Sequence, residues 1–169
     1  MTRLIHSYWL IPAAADAAPY QAVITALAAA QPSAALFQPH MSLGSLTQPL
    51  ETPGPLINAL RGLVLAPIDI ASTDVFTKAL FVRFEPSSAL KTSRQILENL
   101  PGFHTRRVFE PHISLCYGPP PEGAVHRSDV QGLVEKPVRF AALAEMQIKL
   151  PIEDYAAVRA WREVRRWTI

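Results

Sequence analysis

One cysteine in 169 residues excludes an internal disulfide, a CxxC zinc or redox site and a thiolate-rich metal centre. The chain also lacks long apolar runs: the stretch from Ala26 to Ala30 falls far short of a membrane span. Its start, Met1 to His6, has no apolar h-region, so no secretory signal is expected and a cytoplasmic location fits. Charge of one sign is scarce too. Sixteen Lys and Arg against fourteen Asp and Glu leave a net +2, too little to advertise binding to duplex nucleic acid. Also missing are an HExxH pair, a G-x-S-x-G nucleophile elbow and a Gly-rich G-x-x-x-x-G-K-[ST] phosphate loop.

What the chain does have is abundant proline, sixteen residues that punctuate short elements without a low-complexity linker. Strands are expected over His6–Ile11, His40–Leu46, Val64–Ser72, Val75–Phe84, His112–Tyr117 and Val138–Leu150. Helices are expected from an Asp16 cap to Ala30, from Pro53 to Leu63, from Pro86-Ser87-Ser88 to Leu100 and around Ser128–Glu135. Tyr155 to Trp167 reads equally as a helix or a bent terminal strand. The direct strand-to-strand step near Thr73 argues against a purely parallel sheet and favours α+β, with helices covering antiparallel sheets. At 49% apolar and 18% charged residues, the whole chain, 1–169, is expected to fold as one domain.

Its most informative feature is a repeat. Phe37-Gln38-Pro39-His40-Met41-Ser42-Leu43 returns as Phe109-Glu110-Pro111-His112-Ile113-Ser114-Leu115, 72 positions later (112 − 40). Strand side chains alternate faces, so His40 and Ser42 share one side and His112 and Ser114 share one side, each pair backed by apolar residues. Two equivalent half-sites imply two lobes related by a pseudo-two-fold, with both strands meeting in a central cleft. A single H-x-S on a strand is ordinarily a satisfied polar pair; its duplication is what points to a site.

Two imidazoles and two hydroxyls around one pocket suit phosphoester chemistry without metal. Near neutral pH one histidine can be neutral and take a proton from water, while the other is charged and protonates the departing oxygen. Ser42 and Ser114 can donate to phosphoryl oxygens as charge builds there. Zinc is the rival, but serine is a poor zinc ligand. Arg106-Arg107, just before the second motif, reads evenly as a phosphate attractor or a solvated pair. Arg159, Arg162, Arg165 and Arg166 read as a solvated face.

The paired H-x-S-L motifs resemble those of the two-histidine (2H) phosphoesterase superfamily. The strings Ser7-Tyr8-Trp9-Leu10-Ile11-Pro12 and Pro111-His112-Ile113-Ser114-Leu115-Cys116-Tyr117-Gly118 are similar to its small cyclic-phosphodiesterase branch. The resemblance implies a bilobal α+β fold and metal-independent opening of 2′,3′-cyclic nucleotides, or of ADP-ribose 1″,2″-cyclic phosphate, to a monoester. It implies His40 and His112 as the catalytic pair and Ser42 and Ser114 as the phosphate holders, with no cofactor and no metal. Tyr117 matches an aromatic hydroxyl lining that family's site, although strict alternation puts it on the core face unless a bulge or the strand end near Cys116 turns it inward. Trp9 is a stacking wall for a base or a buried core residue. Cys116 shares the histidine face by alternation. The partner expected is a small cyclic-phosphate nucleotide bound by a monomer, with RNA 3′ ends as a second class. An RNA-end enzyme of the 2′-5′ ligase or phosphodiesterase type, and a non-catalytic nucleotide-binding module, are the alternatives.

Overall fold

The computed structural model describes residues 2–104 and 108–169, so the Arg106-Arg107 pair lies outside the described residues. Among these residues eight strands and five helices run β1 (Arg3–Pro12), α1 (Ala14–Ala29), β2 (Met41–Leu46), α2 (Gly54–Leu60), β3 (Val64–Leu65), β4 (Pro67–Ser72), β5 (Leu80–Phe84), α3 (Ser88–Glu98), β6 (His112–Cys116), α4 (Arg127–Gly132), β7 (Val138–Leu150), α5 (Tyr155–Arg159) and β8 (Arg162–Thr168). Among the described residues all strand pairings are antiparallel. One sheet has the order β2-β1-β7-β3, with β8 also on β7; the other is β4-β5-β6. The fold is therefore α+β with antiparallel sheets, and each sheet contributes one motif strand.

Local chemistry accounts for most elements. Alanine-rich α1 is a strong helix former, and its buried Tyr20, Val23, Ile24 and Leu27 form one stripe. In α3, the hydroxyl of Ser87 caps by accepting from the Leu90 N–H at 3.2 Å. Asp154 caps α5 in the same way, accepting from the Ala157 N–H at 2.8 Å.

Four expectations are corrected. Asp16 lies inside the first turn of α1 and accepts from the Arg139 backbone N–H at 2.9 Å, so it ties the helix to β7 instead of capping it. Val64–Ser72 is not one strand. It breaks at Ala66-Pro67, and β3 and β4 belong to different sheets, because Pro67 lacks the ladder N–H needed to continue. The segment before β5 is a 3-10 turn over Phe76–Lys78. Tyr155–Trp167 is both of its readings in succession, α5 and then β8.

The 72-residue repeat extends into the pairing. In the first half Leu10, Trp9 and Tyr8 oppose Met41, Ser42 and Gly44. In the second, Val82, Phe81 and Leu80 oppose Ile113, Ser114 and Cys116. Both ladders skip one residue at the same place, so Leu43 and Leu115 are bulges in equivalent positions. The helices cross over between the halves: α1 packs on β6, and α3 packs on β2. The motif leucines, Leu43 and Leu115, are fully buried in the shared core beneath these helices.

Candidate active site

A cleft of about 510 Å³ opens between the sheets. All six residues singled out in the sequence line it: His40, Ser42, His112, Ser114, Trp9 and Tyr117. The two histidines are held alike. His40 Nδ1 lies 2.8 Å from the Gln38 carbonyl oxygen and His112 Nδ1 lies 2.7 Å from that of Glu110. A carbonyl only accepts, so each Nδ1 must carry the donated proton. Nε2 is then the nitrogen left for chemistry on both rings.

Their surroundings differ. Trp9 lies flat on His40, with centroids 3.6 Å apart and planes 11° apart, while Phe37 and Trp161 meet the imidazole edge-on at 6.2 and 6.0 Å. Burial in this aromatic enclosure pushes the His40 pKa down to about 4. His112 is less enclosed, with Phe81 edge-on at 5.2 Å, and burial also lowers its pKa. Lys78 and Glu110 act on His112 in opposite directions, the lysine lowering and the carboxylate raising it. Those two side chains are themselves ion-paired, and the lysine holds the Glu110 carboxyl below its usual range.

The two hydroxyls are not equivalent in this structure. Ser42 is exposed in the cleft, whereas Ser114 is buried and donates to the Thr77 carbonyl at 3.0 Å. To hold a phosphoryl oxygen, the Ser114 hydroxyl must turn away from Thr77.

The bulge at Leu115 settles the position of Tyr117. It resets the alternation, and the strand ends at Cys116, so Tyr117 turns into the cleft and stacks on Phe37 with centroids 4.2 Å apart. Burial pushes its phenol far above the ordinary value, so it stays a protonated donor. The same reset moves Cys116 away from the histidine face into the apolar core, correcting the expectation that it shares that face. Burial raises its thiol to about 11, which leaves no thiolate to act as a nucleophile. Trp9 lines the cleft and is buried, and one of its faces is covered by His40.

Two cations also line the cleft, neither of which the sequence alone places there. Arg94 stands in the buried stripe Leu90, Ser93, Arg94 and Leu97 of α3, and an arginine on an apolar helix face was the available signal. Lys78, on the 3-10 turn, reaches the cleft and sits 4.5 Å over the Phe81 ring. The C-terminal arginines, in contrast, are engaged locally: Arg165 pairs with Glu145, Arg166 with Glu163, Arg162 with Gln147 and Arg159 with the Ser33 carbonyl. Among the described residues no group of three or more His, Cys, Asp or Glu is placed to hold a metal ion.

No family model matches the sequence, and no curated protein matches it. Solved structures do resemble the fold. The crystal structure of E. coli LigT complexed with 3′-AMP aligns over 99% of this chain and 98% of its own, with a TM-score of 0.53 at 15% identity. LigT complexed with phosphate aligns at a TM-score of 0.48 and 16% identity, and its apo form at 0.49 and 14%, each over 99% of this chain and 96% and 98% of theirs. Over 99% of its length this chain therefore has the α+β fold of E. coli LigT.

Proposed function

We propose that the chain is a 2H phosphoesterase that hydrolyses small cyclic phosphodiesters, 2′,3′-cyclic nucleotides or ADP-ribose 1″,2″-cyclic phosphate, to phosphomonoesters. One observation carries this reading: two imidazoles, each with Nδ1 tied to the carbonyl two residues upstream, present Nε2 to one cleft beside two serines. One Nε2 takes the proton of a water as its oxygen bonds to phosphorus. The other gives a proton to the ribose oxygen as its bond to phosphorus breaks. Ser42 and Ser114 hold the non-bridging oxygens, and Tyr117, Lys78 and Arg94 supply further donors or positive charge for an anionic substrate. Every step uses protein side chains and water, so no metal or cofactor is called for. A cleft of about 510 Å³ suits a mononucleotide bound by a monomer.

The likeness to LigT, a 2′-5′ RNA ligase, supports a second reading in which the substrate is an RNA end. The test is turnover of a panel in excess EDTA, followed by phosphorus NMR: the four nucleoside 2′,3′-cyclic monophosphates, ADP-ribose 1″,2″-cyclic phosphate and a 2′-5′ dinucleotide. Cyclic compounds consumed to monoesters are expected. Cleavage of the dinucleotide alone would transfer the function to RNA ends, and binding without turnover would leave a nucleotide-binding module.

A further inference from the structure

Trp9 and Phe81 are the same position in the two repeats, each directly across the ladder from its motif serine. The rings nevertheless meet their histidines differently. Trp9 lies parallel to His40 at 3.6 Å, whereas Phe81 turns its ring 65° from the plane of His112 at 5.2 Å. The indole is fixed in that pose by donating to the Ser7 hydroxyl at 3.1 Å. Phe37 and Trp161 close the edges, and the one ionisable group acting on His40 among the described residues is His112 across the cleft. His112 faces Lys78 and Glu110 and keeps more contact with solvent.

We infer that Trp9 is a positioning residue that makes His40 the proton acceptor of the pair and leaves His112 as the proton donor, an assignment resting on the two-histidine reading above. Two opposing effects of the stack decide it. A flat indole attracts an imidazolium through its π face. Covering that face also strips the ion of hydration, a heavier penalty for an enclosed charge. The second effect is larger, so the covered ring is neutral and its Nε2 lone pair is available. A water then bonds to phosphorus while His40 Nε2 takes its proton. The phosphorus–ribose oxygen bond breaks, and that oxygen takes the proton of His112 Nε2. One water is consumed, and both histidines recover their starting states by exchange with solvent.

The test is an NMR titration of the assigned imidazole Cε1–H resonances in the wild type, Trp9→Ala and Trp9→Phe, beside the pH profile of kcat/KM. In the wild type His112 should take the first proton as pH falls, with His40 following below pH 5. In Trp9→Ala the His40 midpoint should rise by about one pH unit or more, and the acid limb of the profile should move with it. Trp9→Phe, which can still stack, should stay near the wild type. Should Trp9→Ala fail to fold, Trp9→Gln, of closer volume and without a dry ring, carries the same expectation. An unmoved or lowered His40 midpoint in these variants, or a wild type in which His40 protonates first, would overturn the assignment. If the titrations behave as expected but no panel compound turns over, the reaction reading fails while the order of protonation stands.

Discussion

Arg94 donates from helix α3 to the carbonyl of Leu43, the bulged residue of the first motif, at 2.7 Å. Its Nε donates to Glu98 at 2.7 Å, and its guanidinium lies against Phe103 and against Phe109, the leading phenylalanine of the second motif. One side chain thus braces both motifs. Arg94→Met should leave the Leu43 carbonyl without this partner and cost about 1–3 kcal/mol in denaturant unfolding. Arg94→Lys, with charge but no planar fork, should fall between. Glu98→Gln, at the exposed end of the pair, should change stability by less than about 1 kcal/mol.

Replacing either histidine should remove most turnover. His40→Ala and His112→Ala are each expected to lower kcat by roughly 10²–10⁴-fold, with the fold retained by circular dichroism. The wild-type kcat/KM profile should be bell-shaped, with both limbs below pH 6.5 in the free enzyme because both pKa values are lowered. Full activity in either variant would remove that histidine from the reaction.

Stability should fall in acid through His40. Its folded pKa is about 4 against an ordinary 6.5, so between these values the unfolded chain binds the extra proton. Its contribution is fully present above pH 6.5 and is lost as pH drops toward 4, on the order of 3 kcal/mol in all. His40→Gln should flatten the stability curve over that window in urea melts at successive pH values. A slope identical to that of the wild type would contradict the enclosure of this ring.

The serines should separate by stability. Ser42→Ala and Ser114→Ala are both expected to lower kcat by roughly 10²-fold. Among the described residues only Ser114→Ala removes an existing hydrogen bond, to Thr77, so it alone should also cost about 1 kcal/mol in unfolding.

Gly118 should resist any side chain. Its φ of +70° lies in the left-handed region, and an added Cβ would stand 2.8 Å from the Tyr155 hydroxyl. That hydroxyl donates to the Tyr117 carbonyl at 2.8 Å. Gly118→Ala should therefore cost about 1–2 kcal/mol and raise KM by displacing Tyr117, as thermal melts and initial rates would show.

The motif strands, β7 and α3 were legible because period, caps and breakers agreed there. The split at Ala66-Pro67 was not, since Val64–Ser72 keeps a strand-like composition while the chain changes sheets. The bulges at Leu43 and Leu115 were also hidden. A bulge depends on two strands skipping register, and it moved Tyr117 into the cleft and Cys116 out of it. The stack of Trp9 on His40 and the arrival of Trp161 beside them join residues from three distant segments, and no local pattern encodes such a meeting. Arg94 was visible as a charge on an apolar stripe, but not the carbonyl that receives it.

The crossing of α1 onto β6 and of α3 onto β2 has a consequence for how the molecule comes apart. Neither half can keep its own covering helix if the other melts, since each motif strand is roofed by its neighbour's sequence. Loss of α1 uncovers the strand of His112, and loss of α3 uncovers that of His40. Unfolding should therefore be a single event in which both imidazoles are released together, with no intermediate that keeps half a site.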